Sequence, residues 1–434
     1  MSPNRTESSA PGVEGVIADH LAICDGAKAD GPRGTVVFCV STDDPAEGKG
    51  DLFVALGLAR ALGRAGWGVR LWPMDRWNEP LPDADVAVSM IESFVPGGVA
   101  ARTVLLGWVR NWTERWVELP FLAAFDGFLA SSIATADELR KRYDGPIGVL
   151  PIGVDTELFD GVAPSARPSD IVTTANFWGA ERELQEAIRP VAARHRVDWY
   201  GQNAEHLVLP GGVLHRGAVT FEELPAVYGS AKLVLDDLIE PAKAFGNHNS
   251  RLFEALACGA LPITNTDAGL DELGLSEVPS YGEHAALVDV VDGLLDDDER
   301  RAALAERLRS IVRDRHSYAS RAESFDGFLA PIRSSDRRVR PEWLGWATEV
   351  RESLRDAEFA LDETRSGLHA EQQRTRRLRS ELDETHARLN EVATRLRAIE
   401  SHPVYRTMSK AARVARPLPR PARRDAQGRP NSSE

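Results

Sequence analysis

A repeated alternation of short apolar strands with amphipathic helices is the feature that most constrains the fold of this chain. The first strand is Thr35–Val40 (TVVFCV), a β-branched run suited to a buried parallel strand, and helical spacing follows over residues 52–63. Further strands are predicted in this part of the chain at residues 69–72, 85–89, 103–109 and 127–131. Because strand–helix–strand connections build parallel sheets, we predict a Rossmann-like lobe over residues 34–160.

The same alternation begins again after a stretch rich in Pro, Gly and Ala at residues 155–168. Strands are predicted at residues 171–174, 196–200, 233–236 and 261–265, and helices at residues 180–194, 222–230 and 250–257. We therefore predict a second Rossmann-like lobe over residues 161–335, and an α/β fold with two facing lobes and parallel sheets. Ligands of such sheets bind outside the carboxyl ends of the strands, so we expect the site in the cleft between the lobes.

Two segments outside the lobes differ in composition. Residues 1–33 are rich in Ser, Pro, Gly and Ala without clear periodicity, and we predict a mostly disordered leader. Over residues 342–400, Gly and Pro nearly vanish and leucines recur every seven residues, which predicts a coiled coil. Polar residues such as Thr364 and Glu371 interrupt the apolar stripe, so a lone solvated helix is the alternative. The stripe consists of Val350, Leu354, Ala357, Leu361, Leu368, Leu378, Leu382, Leu389, Val392, Leu396 and Ile399.

Residues 401–434 form a basic tail that contains several prolines. Seven arginines and lysines lie between Arg406 and Arg424, interleaved with apolar residues. Such a mixture can sit on an anionic membrane surface, which gives the hypothesis of peripheral attachment at the inner face of the membrane. A disordered, solvated tail is the other interpretation.

The overall composition narrows the classes of partner and compartment. A net charge of −14 argues against nucleic acid as the main partner, since phosphate binding needs a basic surface. The N-terminus lacks the apolar core of a signal peptide, and no apolar run is long enough to span a bilayer, so we expect a cytoplasmic protein. Cys24, Cys39 and Cys258 lie far apart without metal-ligand spacing, and we predict buried, reduced thiols.

The loop after the first strand, residues 43–51, is the first candidate for chemistry. Gly48, Lys49 and Gly50 precede a helix whose N–H groups would face an anion, so we expect a phosphate or acceptor loop here. The loop is not a P-loop, because no Gly-Lys-Ser/Thr follows four residues after a glycine, and an ordinary strand-to-helix turn is the alternative. Asp43 and Asp44 are the carboxylates that we expect to serve as base, should an acceptor hydroxyl need one.

A tryptophan-rich segment, residues 107–116, follows another strand of the first lobe. Arg110 and Asn111 are polar residues at the carboxyl end of this strand, so we expect both in the cleft. Aromatic rings can stack on the apolar face of a sugar, which is one interpretation of the three tryptophans. For Trp108 and Trp116, core packing is the favoured interpretation.

The segment 247–263 predicts an amphipathic helix followed by a strand. Glu254 stands between apolar neighbours on this helix, and a half-buried carboxylate there is suited to gripping two vicinal hydroxyls, as on a ribose. A surface ion pair between Arg251 and Glu254, three residues apart, is the alternative.

The run RLFEALACGALPITN, residues 251–265, closely resembles the donor-binding helix and following strand of GT-B glycosyltransferases. It is most similar to the bacterial family-four-like enzymes and the spore-protein-type glycosyltransferase-like domain. Residues 125–159, which contain PIGVD and end at Phe159, resemble the end of the GT-B N-terminal lobe. Residues 214–230 and 316–321 resemble further parts of the same domain, so the resemblance covers roughly residues 35–330.

The resemblance implies roles for particular residues of this chain. It implies that Glu254 binds the ribose of a nucleotide-sugar donor and that Arg251 lies near its diphosphate. Asn249, His248, Lys243 and Arg216 complete the expected donor site. The loop with Gly48, Lys49 and Gly50 is expected at the junction of donor and acceptor, and Asp43, Asp44 and Arg110 are the expected catalytic residues.

One position departs from the pattern of the retaining enzymes in this family. Those enzymes carry a second glutamate eight residues before the ribose-binding one, and this chain has Gly246 there. The resemblance therefore leaves open whether the configuration of the sugar is retained or inverted.

The implied activity is transfer of a sugar from a nucleoside-diphosphate sugar to an acceptor hydroxyl, in the assembly of bacterial cell-surface polysaccharide or glycoconjugate. We expect no cofactor and no metal, because Asp236 and Asp237 lack the intervening residue of an Asp-x-Asp motif. The expected partners are the donor, an acceptor of unspecified class, and a second copy or another protein through the coiled coil. A non-catalytic assembly protein on the same fold and a nucleotide-sugar epimerase are the alternatives.

Overall fold

The computed structural model describes residues 11–160, 167–176, 183–203 and 209–406. The chain divides into two compact units, Met1–Asp356 and Ala357–Glu434. The first unit contains two parallel β-sheets, each covered by helices, so the prediction of an α/β fold with two Rossmann-like lobes is confirmed.

The first sheet has six parallel strands in the order β2-β1-β3-β4-β5-β6. These strands are β1 (Thr35–Val40), β2 (Gly68–Pro73), β3 (Val86–Ser89), β4 (Val104–Val109), β5 (Gly127–Ala130) and β6 (Ile147–Val149). The second sheet has five parallel strands in the order β11-β10-β7-β8-β9. These are β7 (Ser169–Thr174), β8 (Val197–Tyr200), β9 (Val213–Gly217), β10 (Ala231–Asp236) and β11 (Leu261–Thr264).

Helices pack on both faces of the two sheets. The helices of the described residues are α1 (Pro11–Cys24), α2 (Gly50–Arg64), α3 (Thr113–Val117), α4 (Ile133–Arg140), α5 (Glu183–Ala192), α6 (Leu224–Ser230), α7 (Glu240–Lys243), α8 (Ser250–Ala257), α9 (Leu287–Leu295), α10 (Asp298–Arg315), α11 (Tyr318–Arg333) and α12 (Trp343–Ser401). The central strands β1, β4 and β10 are almost wholly buried, as their continuous apolar sequences predict.

Helix α1 corrects the prediction of a mostly disordered leader. Val16 and Ile23 on this helix are 0% and 2% exposed, and Asp19 accepts a hydrogen bond from Arg60 of α2 at 3.0 Å. The apolar residues Val13, Val16 and Ile23 share one helical face with His20, a stripe that the surrounding Gly, Ser and Ala residues obscured. Residues 1–10 of the predicted leader lie outside the described residues.

Helix α11 follows the second lobe in sequence, but it packs on the first lobe. The ring of Tyr318 lies against Gly57 of α2, where a Cβ atom would overlap the ring. Farther along the helix, Asp326 accepts hydrogen bonds from Arg33 at 2.7 Å and from the indole N–H of Trp67 at 2.9 Å. The predicted boundary of the second lobe at residue 335 therefore includes a helix that belongs structurally to the first.

The chain crosses between the lobes at two neighbouring places. Val154, on the way out of the first lobe, forms an isolated parallel bridge with Ser317, on the way back. The Val154 N–H donates to the carbonyl oxygen of His316 at 2.9 Å, and its own carbonyl accepts from the Tyr318 N–H at 3.0 Å. The two crossing segments thus run side by side and are hydrogen-bonded to each other.

The first turns of α12 belong to the first unit. Leu344 is buried in the core of the first lobe, and its carbonyl lies so close to Gly97 that a Cβ atom there would overlap it. Arg355 donates to the carbonyl oxygen of Met74 at 2.6 Å. The segment that joins the lobes to the predicted coiled coil is therefore packed into the globular unit up to about Asp356.

The second unit is helical over residues 357–401. The leucine, valine and isoleucine side chains of the predicted stripe in this unit are between 48% and 61% exposed: Leu361, Leu368, Leu378, Leu382, Leu389, Val392, Leu396 and Ile399. The helix predicted here is confirmed, whereas its pairing as a coiled coil stays a prediction. Of the predicted basic tail, residues 407–434 lie outside the described residues.

Two properties of the described residues bear on the expectations about membranes and metals. No helix among them combines the length and the apolar character needed to cross a membrane. Nor do three or more of their His, Cys, Asp or Glu side chains form a group that could hold a metal ion. Cys39 and Cys258 are buried and Cys24 is half-buried, each without a disulfide.

Candidate functional site

A cleft of about 870 Å³ lies between the two lobes, at the carboxyl ends of strands from both sheets. The first lobe lines it with residues from the loop after β1 and the start of α2, and with the segments that follow β3 and β4. The second lobe lines it with the ends of β7 and β8, the loop after β9, and the start of α8. Parallel sheets bind ligands at this edge, so the cleft is the candidate site.

Glu254 lies at the wall of this cleft on helix α8 and is only 7% exposed. Burial raises the pKa of the Glu254 carboxyl to about 8, although the nearby Arg251 guanidinium opposes the shift. The Tyr228 hydroxyl, which also faces Glu254, lies 2.7 Å from the hydroxyl of Thr174 at the end of β7. A carboxyl at the wall of a cleft can accept hydrogen bonds from ligand hydroxyls.

Arg251 also lines the cleft, but its charge is already compensated within the second lobe. Its Nη1 donates to Oδ1 of Asp236 at 2.7 Å, and its Nε donates to the hydroxyl of Thr174 at 3.0 Å. Burial opposes its charge, but the Asp236 carboxylate holds the pKa of Arg251 above its ordinary value. The alternative of a surface ion pair between Arg251 and Glu254 is wrong, because Arg251 pairs with Asp236 instead.

Asn249 and His248 line the same wall, just before α8 begins. Asn249 is the N-cap residue of the helix, but its side-chain amide donates to Asp236 Oδ1 and to the Asp237 carbonyl, both at 3.2 Å. His248 Nε2 lies 2.8 Å from the carbonyl oxygen of Ala268, and burial lowers the pKa of the ring. A neutral ring that donates through Nε2 leaves Nδ1 as a buried acceptor, which has no hydrogen-bond partner in the described part of the chain.

The other two residues of the expected donor site lie outside the cleft lining. Lys243 pairs with Glu183, its Nζ lying 3.2 Å from both carboxylate oxygens. Arg216, on the edge strand β9, donates to Asp198 of β8 at 2.8 Å. Each cation therefore neutralises a carboxylate of its own lobe, and the structure does not bring either one to the wall of the cleft that contains Glu254.

Asp43 and Asp44, expected as catalytic carboxylates, also lie outside the cleft lining. Asp44 is exposed and caps the short 3-10 helix Pro45–Glu47, where its Oδ1 accepts from the Ala46 N–H at 2.9 Å. Partial burial raises the pKa of Asp43, whose charged neighbours are Asp44, Asp75 and Arg76, away from the cleft. The adjoining residues Pro45 and Ala46 line the cleft, but the two carboxylates do not.

The glycines of the same loop do line the cleft. Gly48 has a φ of +63°, and a Cβ atom there would lie 2.9 Å from the Gln202 amide of the second lobe. Gly50 begins α2, and next to it Asp51 accepts hydrogen bonds from the N–H and the hydroxyl of Ser41, both at 2.7 Å. Lys49, between the two glycines, is the N-cap residue of α2 and is not part of the lining.

The segment after β4 brings Arg110 and Asn111 to the cleft, as the sequence predicts. Arg110 donates through Nη2 to the carbonyl oxygen of Met90 at 2.7 Å, and burial lowers its pKa. Trp112 follows with a φ of 54°, a left-handed conformation that costs roughly 1–3 kcal/mol in a non-glycine residue and is common at functional sites. Trp108 and Trp116 are buried in the core, in agreement with the favoured interpretation.

Sequence reasoning missed several cleft residues, among them Thr174, Tyr228, Phe53 and Phe221. Thr174 ends a predicted strand, and this position is a signal that could have identified it. Phe53 of α2 and Phe221 of the second lobe stack across the cleft with ring centroids 4.0 Å apart and an interplanar angle of 9°. This contact joins residues far apart in the chain, and nothing in the sequence pattern pairs them.

Comparison with protein families gives one match within the chain. Residues 181–327 match the model of a family described as Glycosyl transferase-like. This region begins just before α5 and ends within α11, so it includes the second-lobe wall of the cleft with Glu254. No protein with a curated description matches the chain.

Solved structures with the same fold are distant in sequence. Sucrose-phosphate synthase from Thermosynechococcus elongatus is 15% identical with a TM-score of 0.54, and the match covers 69% of this chain and 99% of that chain. AviGT4, a glycosyltransferase involved in avilamycin A biosynthesis, is 16% identical with a TM-score of 0.48, over 69% of this chain and 98% of that chain. A Thermobaculum terrenum O-GlcNAc transferase mutant is 15% identical with a TM-score of 0.48, over 73% and 74% of the two chains. At these identities the likeness concerns the fold, and the fold is the GT-B architecture of two facing Rossmann-like lobes.

Proposed function

We propose that this chain is a glycosyltransferase that moves a sugar from a nucleoside-diphosphate sugar to an acceptor hydroxyl. The observation that carries the proposal is the buried Glu254 carboxyl at the wall of the cleft, on the helix that resembles the donor-binding helix of GT-B enzymes. The match of residues 181–327 to a glycosyl transferase-like family supports the same assignment.

Glu254 would bind the two vicinal hydroxyls of the donor ribose. In the free protein its pKa is raised to about 8 by burial, so the carboxyl keeps its proton at neutral pH. Two hydroxyls that donate to the carboxylate would stabilise its ionised form, because hydrogen bonds to a charged group favour the charge. We therefore expect the affinity for a nucleoside to rise with pH as Glu254 approaches its raised pKa.

The transfer itself breaks the bond between the anomeric carbon and the diphosphate oxygen and forms a bond from that carbon to the acceptor oxygen. The nucleoside diphosphate leaves with the bonding electrons, and the acceptor hydroxyl loses its proton to a base. The first-lobe carboxylates that line the cleft are Asp51 and Glu92, which makes them better candidates for this base than Asp43 and Asp44.

Calorimetric titration with a panel of nucleoside diphosphates tests the proposal. The wild-type chain should bind at least one nucleoside diphosphate of the panel, and Glu254→Gln should weaken that binding about 10- to 100-fold, as expected for loss of a hydrogen-bonding charged group. The substitution is nearly isosteric, so the variant should keep its fold, which thermal unfolding would verify.

Glu240→Gln is the matched control, because Glu240 lies on the same lobe but is exposed and outside the cleft lining. It should bind the nucleotide as the wild type does. A wild-type chain that binds no member of the panel would refute the proposed donor class, and equal binding by Glu254→Gln would refute the role of this carboxyl.

A further inference from the structure

The charges that line the cleft differ in how they are compensated. In the described part of the chain, two arginines line it, Arg110 from the first lobe and Arg251 from the second. Arg251 is held by Asp236 at 2.7 Å. Arg110 donates to the Met90 carbonyl, whereas its Nε is buried without a hydrogen-bond partner, and no described carboxylate pairs with it.

Two carboxylates lie near Arg110, but each is bound elsewhere. Asp51 accepts two hydrogen bonds from Ser41 at 2.7 Å. Glu92 pairs with Arg115 at 3.1 Å. A guanidinium carries five N–H donors and stays charged in proteins. Arg110 therefore brings to the cleft lining a charge that forms no ion pair with a described carboxylate.

The position of Arg110 relative to Glu254 suggests which ligand group it meets. Arg110 and Glu254 line the same cleft from opposite lobes. In a nucleoside diphosphate the first phosphate is bonded to the ribose C5′ oxygen, so a ribose bound at Glu254 would hold its phosphates within this cleft.

We propose that Arg110, rather than Arg251, receives the diphosphate of the donor, an inference that rests on the proposed function. Arg110 would form charge-assisted hydrogen bonds to the phosphate oxygens, and these bonds strengthen as the diphosphate leaves with its additional negative charge. The nucleoside would be held by the second lobe and the diphosphate by the first, so one donor molecule would bridge both lobes.

The test compares a nucleoside with its own diphosphate in calorimetric titrations of the full-length chain. The probes are the nucleoside and nucleoside diphosphate whose base binds the wild type best. Arg110→Met should weaken diphosphate binding about 10- to 100-fold, the range for loss of a hydrogen bond to a charged group, and leave nucleoside binding within about twofold. Glu254→Gln should weaken both ligands alike, because the ribose is common to both.

Two further variants make the result specific. Arg102→Met is the matched control, since Arg102 is an exposed arginine of the same lobe that pairs with Asp83 outside the cleft, and it should bind both ligands as the wild type does. Arg110→Gln keeps an N–H donor for the Met90 carbonyl, so it carries the test if Arg110→Met does not fold.

The outcomes separate this inference from the proposed function. If the wild type binds nucleoside diphosphates and the Arg110 variants bind them equally tightly, the role of Arg110 is refuted while the proposed function stands. The role of Arg110 would likewise be refuted if the Arg110 variants lost transfer activity only because the KM for the acceptor rose. If the wild type binds no nucleoside diphosphate, the proposed function fails and this inference fails with it.

Discussion

Replacing Glu254 by glutamine should make the stability of the protein less sensitive to pH between about 5 and 9. The folded-state pKa of Glu254 is raised by burial to about 8, against an ordinary value of 4.5. Between these two values the unfolded chain has released the proton while the folded chain still holds it. Unfolding therefore releases a proton, and raising the pH through this window destabilises the wild type.

The magnitude follows from the size of the shift. A displacement from 4.5 to about 8 is about 3.5 pKa units, and at about 1.4 kcal/mol per unit it amounts to roughly 5 kcal/mol lost by the wild type between acid and alkaline pH. Glutamine has nearly the same shape and does not ionise, so the variant should not suffer this loss. The variant should thus be about as stable as the wild type near pH 5 and several kcal/mol more stable at pH 9.

Urea unfolding of both proteins at pH 5, 7 and 9 measures the difference directly. Other titrating groups contribute equally to the two proteins and cancel when the free energies of unfolding are subtracted. Glu240→Gln, at an exposed position, should give a difference that does not change with pH. Parallel pH profiles for the wild type and Glu254→Gln would refute the reasoning, because the buried carboxyl would then have no raised pKa.

Two further predictions concern packing and assembly. Gly57→Ala should lower the free energy of unfolding by about 1–3 kcal/mol, since its Cβ atom would overlap the ring of Tyr318 on α11. Gly63→Ala on the same helix meets only a methyl group of Val69 at 3.9 Å and should be neutral or slightly stabilising. Thermal unfolding of both variants checks this, and equal melting temperatures would contradict it. The full-length chain should self-associate, because the exposed leucine stripe of the second unit needs a partner to bury it. Truncation after residue 356 should give a monomer that keeps its nucleotide binding. Sedimentation at micromolar concentration measures this, and a monomeric full-length chain would count against it.

The sequence predicted the buried parts of the fold better than its edges. The central strands β1, β4 and β10 carry largely apolar runs, so they were found from composition alone. Of the four edge strands among the described residues, the buried strands β2 and β11 were found. The edge strands β6 and β9 were missed, because their side chains are mostly half-buried or exposed and their sequences lack such a run. An edge strand is defined by its backbone pairing with a neighbour, and that pairing leaves little trace in residue type.

The candidate site shows a similar division. Glu254, Arg110 and Gly48 were placed in the cleft from their positions at helix starts and strand ends, which the fold class fixes. Lys243 and Arg216 were predicted in the donor site as well, but they lie outside the cleft lining. Lys243 pairs with Glu183 and Arg216 with Asp198, carboxylates that lie far from them in sequence. A cation's partner depends on which segments fold together, and sequence spacing alone does not identify it.

The predicted boundary of the second lobe shows the same limit of sequence reasoning. Helix α11 was assigned to the second lobe because it follows that lobe in the chain. Its apolar residues, however, face the first sheet, where Phe328 packs against Gly148 and Ile332 against Gly127. Order along the chain predicts neighbours within a lobe, but it does not predict a helix that returns to the other one.

The paired crossing at Val154 and Ser317 has a consequence for how the two lobes open and close. Two chain segments that are hydrogen-bonded side by side form a two-segment hinge, in which independent movement of either segment would break the hydrogen bonds between them. Opening should therefore be a rotation about an axis near this bridge, with little sliding of one lobe past the other. The same arrangement means that no single cut in the chain separates the lobes: a fragment that ends at residue 160 lacks the returning helix α11, so its helix α2 would be left with an uncovered apolar face.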